Sequence, residues 1–271
     1  MGHMTISTEN AEYQVIQALK NNRTKRTKLR ELFIEGTESL KQAIKADAPI
    51  TRIIYADQTK LSDWAMSVIN RYSSTKIIRM SRALYRALCD REEPPELLAT
   101  ASFIPQTLST LTLPAKPFVL IFDRPSDYGN FGSIVRSADS FGVDAILVIG
   151  HGIDVYDSKV IRSSLGAIFH QTIVHVQSMQ ELHQWVVDQK RSNQLRLIGT
   201  DSTGSTSLTS IDLNKPIAVV LGNEAKGMSV ALQAECDLIV SIPLCGAVNS
   251  LNVSCAGTIL LWEVFKHSDP G

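Results

Sequence analysis

The second half of the chain is built from short, almost unbroken apolar runs set between polar, glycine-bearing loops. The runs over 118–122, 145–149, 217–221 and 238–242 read Phe-Val-Leu-Ile-Phe, Ala-Ile-Leu-Val-Ile, Ile-Ala-Val-Val-Leu and Leu-Ile-Val-Ser-Ile. Strands with so little polar alternation are those that a parallel sheet buries on both faces. Apolar residues at helical spacing predict helices over 132–141, 159–169, 179–189 and 252–267. The first half alternates too. Helices are expected over 11–20, 38–45, 62–72 and 82–89, and strands over 31–35, 51–55, 76–79 and 96–103. Strands alternating with helices predict α/β layers in both halves.

Between the halves, Pro105, Pro114 and Pro117 stand among Ser and Thr residues, the composition of a linker or an extended crossing. The expected organisation is a smaller α/β domain over 1–105, a linker over 106–117 and a parallel-sheet domain over 118–271. The opening Met1-Gly2-His3-Met4 reads as a cloning remnant and is left out of the expected fold.

With 44% hydrophobic and 20% charged residues in 271, the chain can bury cores without staples. Cys89, Cys236, Cys245 and Cys255 form no CxxC pair and have no histidine at zinc spacing, so free thiols in a reducing cytosol are expected. No apolar run reaches the roughly 20 residues that span a bilayer, no signal peptide is read, and the expected location is cytoplasmic. Charge is unevenly divided. Residues 1–115 hold 16 Lys+Arg against 12 Asp+Glu, and residues 116–271 hold 11 against 15. A mildly basic front half suits a polyanionic partner, while zero net charge argues against strong non-specific DNA binding.

Ligands of open parallel sheets bind beyond the carboxyl ends of the strands, and three such loops carry candidate chemistry. The first runs from Asp123 through Gly129, Asn130 and Gly132 to Arg136. A helix start there offers N–H groups to an anion, with Asn130 as cap or ligand and Arg136 within reach; a capped turn with a solvated Arg136 fits equally. The second is Leu221-Gly222-Asn223-Glu224-Ala225-Lys226-Gly227, either a ligand loop in which Glu224 orients an arginine or a ribose hydroxyl, or an exposed mobile loop. The third runs from Ile242 through Gly246 and Ser250 to Ser254 and enters an almost wholly apolar helix, expected to be buried on most faces. Ser250 and Asn252 are natural caps for it, and binding of adenine or methionine is the added possibility.

Neither GxGxxG after a strand, nor GxxxxGK[ST], nor HExxH is present, and the six histidines are scattered. Dinucleotide, P-loop and metal chemistry are therefore not expected. The basic run Lys20, Arg23, Lys25, Arg26, Lys28, Arg30 is either a solvated stretch or a grip on RNA phosphates.

Taken together, the three loops resemble the signature motifs of the SpoU/TrmH family of RNA ribose methyltransferases, within the SPOUT superfamily. The matching stretches are Asp127–Ala138, Leu221–Gly227, and Ile242–Leu244 with Ser250–Ser254; Ser164–Phe169 is also familial. One departure is Tyr128, where many relatives carry proline. The front half, from Asn22–Arg26 through Leu32–Leu40 to Ile53–Tyr55, is similar to the ribosomal-protein-like substrate-binding domain of rRNA members.

The resemblance implies a C-terminal trefoil knot, a homodimer, S-adenosylmethionine as cofactor without metal, and 2′-O-methylation of an RNA ribose. The front domain favours large-subunit rRNA; a tRNA-directed enzyme and a catalytically silent RNA-binding relative stay open. It also implies a catalytic set of Asn130, Arg136, Glu224, Ser250 and Asn252. Cofactor contacts are implied at Thr200, Leu221, Gly222, Asn223, Gly227, Ile242, Leu244, Leu251, Asn252 and Ser254. RNA contacts are implied at Arg23, Lys25, Arg26, Lys28 and Arg30.

Overall fold

The computed structural model describes residues 3–201, 204, 206–213, 216–247 and 250–267. The chain divides into two compact units. One comprises residues 1–105 with 154–170, the other 106–153 with 171–271.

The front elements are β1 (His3–Ile6), α1 (Ala11–Asn21), α2 (Arg23–Leu29), β2 (Glu31–Glu35), α3 (Thr37–Lys45), β3 (Ile50–Ala56), α4 (Asp63–Arg71), β4 (Lys76–Met80), α5 (Arg82–Ala87) and β5 (Leu98–Ser102). Most follow the apolar pattern within two residues. Two were not foreseen. The stretch beginning at His3, set aside as a remnant, is an edge strand paired in parallel with β4. The basic run is a helix, because Asn22 accepts a hydrogen bond from Lys25 N and caps it. The sheet order is β1-β4-β3-β5-β2, with β5 antiparallel to both neighbours. Its core gathers Tyr13, Ile16, Leu19, Phe33, Ile54, Ile78 and Leu98.

From residue 118 the elements are β6 (Phe118–Asp123), α6 (Tyr128–Ser140), β7 (Ala145–Ile149), α7 (Ser158–Ser163), β8 (Ile173–Val176), α8 (Met179–Asn193), β9 (Arg196–Thr200), β10 (Thr206–Ser207), β11 (Ile217–Leu221), α9 (Val230–Glu235), β12 (Leu238–Ser241) and α10 (Val253–His267). The strands β6 to β12 join one parallel sheet, ordered β10-β12-β9-β11-β6-β7-β8. Strands β6, β7 and β11 are buried at every residue, as their unbroken apolar runs require. The chain steps outward from β6 to β7 and β8, then returns to build the other side through β9 and β11. That reversal is a topological switch point.

Three departures have physical causes. The helix expected over 159–169 stops at Ser163, because Leu165 and Gly166 take positive φ (51° and 86°) before a 3₁₀ turn at Ala167–Phe169. The segment 154–170, expected in the rear domain, belongs to the first unit, where buried Ser39 donates to Ile161 O and Arg162 reaches buried Glu35. The expected linker over 106–117 packs: Leu108 enters the core of the second unit, with Leu111 and Leu113 against it.

Candidate functional site

The candidate site lies in the second unit, at the carboxyl ends of β9, β11, β12 and β6. After β6 the helix begins earlier than the sequence pattern indicates. Asp127, rather than Asn130, caps α6 by accepting from Asn130 N at 2.7 Å. Gly129 and Asn130 are therefore inside the first helical turn. The free N–H groups ahead of it already meet an anion, the carboxylate of Glu224. It accepts from Ser126 N (3.0 Å), Ser126 Oγ (2.6 Å) and Asp127 N (3.1 Å). Glu224 thus ties the second loop to the first. Arg136 is exposed on α6, and no ion pair is formed by its guanidinium among the described residues.

The second loop is closed on itself rather than mobile. Asn223 N donates to Gly227 O (3.1 Å) and Gly227 N to Asn223 O (2.9 Å), with Gly227 at φ 65°. The Asn223 side chain accepts from Ala225 N and Lys226 N, each at 3.0 Å, and donates to Arg124 O at 2.7 Å. Gly222 has no room for a side chain, since a Cβ there would lie 2.3 Å from Met228 N. Buried Asp123 accepts from Ser229 N at 2.7 Å and pairs with Arg124. The hydrogen bonds from Arg124 to Asp123 raise the pKa of the guanidinium above its already high value. Glycines and amides at this spacing signal the loop in the sequence; the Asp123–Arg124 pair carried no such signal and was not singled out.

In the third loop Asn252 caps α10: its Oδ1 accepts from Ser254 N at 2.7 Å and Ser254 Oγ at 2.6 Å. Its Nδ2 donates to Asn130 Oδ1 at 3.0 Å, joining two residues 122 apart in the chain. Beyond this cap α10 buries Gly257, Leu260, Leu261 and Val264 but leaves Ile259 and Trp262 exposed, so it is buried on one face rather than most. Asn249 lies outside the described residues.

These loops enclose a cleft with a volume of about 260 Å³. Of the expected cofactor contacts, Thr200, Gly222, Asn223, Gly227, Ile242, Leu244 and Leu251 line it. Leu221 is a buried strand residue, and Asn252 and Ser254 turn to the helix cap instead of the cleft wall. Glu224 and Ser250 also line it, as do Asp201, Val240, Val253 and Ala256, which were not anticipated. The walls combine an apolar side (Val240, Ile242, Leu244, Leu251) with hydrogen-bonding groups (Thr200, Asp201, Asn223), which fits a ligand with one flat apolar part and a polar chain.

Among the basic run, Arg23, Lys25, Lys28 and Arg30 are exposed. Arg26 is corrected. It is 2% exposed, and its guanidinium is bound to Asp154 (2.7 Å), Asp157 (2.8 Å) and the carbonyls of Leu19 and Lys20, so it reaches no outside phosphate. Among the described residues no group of His, Cys, Asp or Glu is arranged to hold a metal, and no helix is long and apolar enough to cross a membrane. Burial pushes the thiols of Cys89 and Cys236 up to about 12, whereas Cys245 and Cys255 are exposed.

Comparison with known proteins gives these arrangements a context. The family model of the SpoU rRNA Methylase family matches residues 117–262, and that of the SpoU L30e-like domain matches 10–99. A 23S rRNA (uridine(2479)-2'-O)-methyltransferase of Streptomyces viridochromogenes is 35% identical over 98% of this chain and 93% of its own. The 23S rRNA (guanosine(2553)-2'-O)-methyltransferase RlmP of Bacillus subtilis is 29% identical over 94% of this chain and 98% of its own. Among solved structures, the SpoU methyltransferase AviRb from Streptomyces viridochromogenes in complex with AdoMet superposes with a TM-score of 0.89 at 36% identity. It covers 95% of this chain and 98% of that one. The cleft, the linked loops and these matches over nearly the whole length lead to one assignment: the chain belongs to the SpoU rRNA methylase family.

Proposed function

We propose that this chain is an S-adenosylmethionine-dependent RNA 2′-O-methyltransferase that acts on a ribose of large-subunit rRNA. The observation that carries the reading is the Asn252–Asn130 hydrogen bond. It sets the helix starts of α6 and α10 side by side, next to the cleft that Glu224 and Ser250 line.

The cleft residues fit the cofactor. Ile242, Leu244 and Leu251 with Val240 would hold the adenine, and Thr200, Asp201 and Asn223 its polar groups. When bound, the cofactor supplies a methyl group activated on a sulfonium. The chain's part is to place the 2′-hydroxyl in line and stabilise it as it loses its proton. Arg136 is exposed on α6 and suits binding of the substrate phosphate and electrostatic support of the developing alkoxide. A guanidinium is a poor base, so orientation and charge are its contribution. Asn130 and Asn252 orient each other, and Glu224 fixes the Ser126–Asp127 backbone from which α6 starts.

The same reading includes RNA affinity in the first unit through Arg23, Lys25, Lys28 and Arg30, a trefoil knot, a cytoplasmic location and a homodimer. The dimer is supported by the aromatic cluster of Phe141, Trp262 and Phe265, which leaves Trp262 45% exposed. Such a patch suits a second copy.

Ribose methylation mapped across rRNA and tRNA from cells with and without the gene, and after adding the purified protein and S-adenosylmethionine, tests the reading. One large-subunit ribose should lose its methyl group in the deletion and regain it on addition. Restoration confined to tRNA, or at no RNA, would refute the proposed substrate.

A further inference from the structure

The residue that follows β6 holds an uncommon backbone conformation. Arg124 has φ 49°, a left-handed region that side chains with a Cβ seldom adopt. Room is made for it by Gly150, where a Cβ would lie 2.7 Å from Arg124 Cγ. In this conformation Arg124 and its neighbour meet the loop 222–229 at three separate points. Arg124 O accepts from Asn223 Nδ2 at 2.7 Å, Arg124 Nη2 donates to Gly227 O at 3.1 Å, and Asp123 Oδ2 accepts from Ser229 N at 2.7 Å. The two residues also hold each other. Arg124 Nε and Nη2 each donate to the Asp123 carboxylate at 2.8 Å, and Asp123 is buried. The loop is thus gripped at its start, at its turn and at its exit. Gly222, Asn223, Glu224 and Gly227 of that loop line the cleft, whereas Arg124 does not.

We propose that Arg124, oriented by Asp123, is a positioning residue: it holds the loop 222–229 in its ligand-binding shape and thereby sets cofactor affinity. The inference rests on S-adenosylmethionine being the ligand of the cleft.

Calorimetric titration of the full chain and of its Arg124→Gly and Arg124→Lys variants with S-adenosylmethionine tests it. Glycine accepts positive φ without strain but has no guanidinium, so it separates the grip on the loop from backbone conformation. Arg124→Gly should raise Kd about tenfold at unchanged stoichiometry, the scale of one lost charge-assisted hydrogen bond. Arg124→Lys should also bind more weakly, because an ammonium cannot span Asp123 and Gly227 as a planar fork does. Wild-type Kd in Arg124→Gly overturns the inference. So does a fall in stoichiometry at unchanged Kd, which marks a smaller folded fraction and a purely structural role. If Arg124→Gly does not fold, Arg124→Lys is judged by the same two quantities. Absence of binding by the unaltered chain would instead refute the cofactor assignment, and this inference with it.

Discussion

Arg26 and Arg136 carry the same side chain in two regions, and their surroundings differ completely. Arg26, on α2 of the first unit, is buried against two carboxylates and two helix-end carbonyls. Arg136, on α6 of the second unit, is exposed, and its guanidinium forms no ion pair among the described residues. A buried guanidinium has its donors consumed and holds structure together. An exposed one without such acceptors keeps its donors for a ligand. The difference shows that a basic residue's role follows from which acceptors surround it, and a run of basic residues does not state that.

The largest effect should come from breaking the buried cluster. Arg26→Ala leaves buried Asp154 and half-buried Asp157 without their cation and should cost about 3–5 kcal/mol, read as a lower midpoint in urea unfolding. A change typical of a surface residue, below about 0.5 kcal/mol, would remove the contrast with Arg136.

Arg136→Ala should do the opposite. Stability should stay within about 0.5 kcal/mol of the parent, the range for a surface change. Single-turnover methylation at saturating RNA should fall roughly 10²–10³-fold, the range for loss of one group that stabilises developing charge. A near-normal rate would take Arg136 out of the chemistry.

A smaller and more selective effect is expected at Asn252. Asn252→Asp keeps the oxygen that caps α10 and loses the donor to Asn130. Its melting temperature should match the parent while methylation drops. Asn252→Ala should lose about 1 kcal/mol as well, the usual worth of such a cap. Equal activity in Asn252→Asp and the parent would show that the link to Asn130 does not serve the reaction.

The smallest effect is a dependence on acid within the first unit. Burial works to raise the Glu12 carboxyl, but hydrogen bonds from Arg52 and Lys76 outweigh it and hold the group below its ordinary range. Asp90 behaves alike: burial is opposed by Lys20, with the charges of Arg162 and Lys159 adding to it. A carboxyl depressed on folding contributes stability above its unfolded pKa and loses it as pH falls through the folded one. The urea midpoint should therefore drop below about pH 4, the ordinary carboxyl range, and Glu12→Gln should flatten part of that slope. An unchanged slope would show these pairs to be too solvated to matter.

Much of this protein was determined by the sequence alone. Unbroken apolar runs specified the buried parallel strands β6, β7 and β11, because only a sheet covered on both faces accommodates them. The three polar loops after strands were visible as motifs, since amides and glycines at strand ends have few structural substitutes. Local physics beyond hydrophobic period was harder to see. Asp127 took the cap from Asn130, and positive φ at Leu165 and Gly166 ended a helix that the pattern would have continued. What only the tertiary structure decided is partnership across long separations in the chain: Arg26 with Asp154, Asn130 with Asn252, Glu224 with Ser126, and Arg124 with Gly227. Periodicity reports which face of an element avoids water. It carries no record of which polar group, a hundred residues away, will satisfy a donor or a charge once water has been excluded.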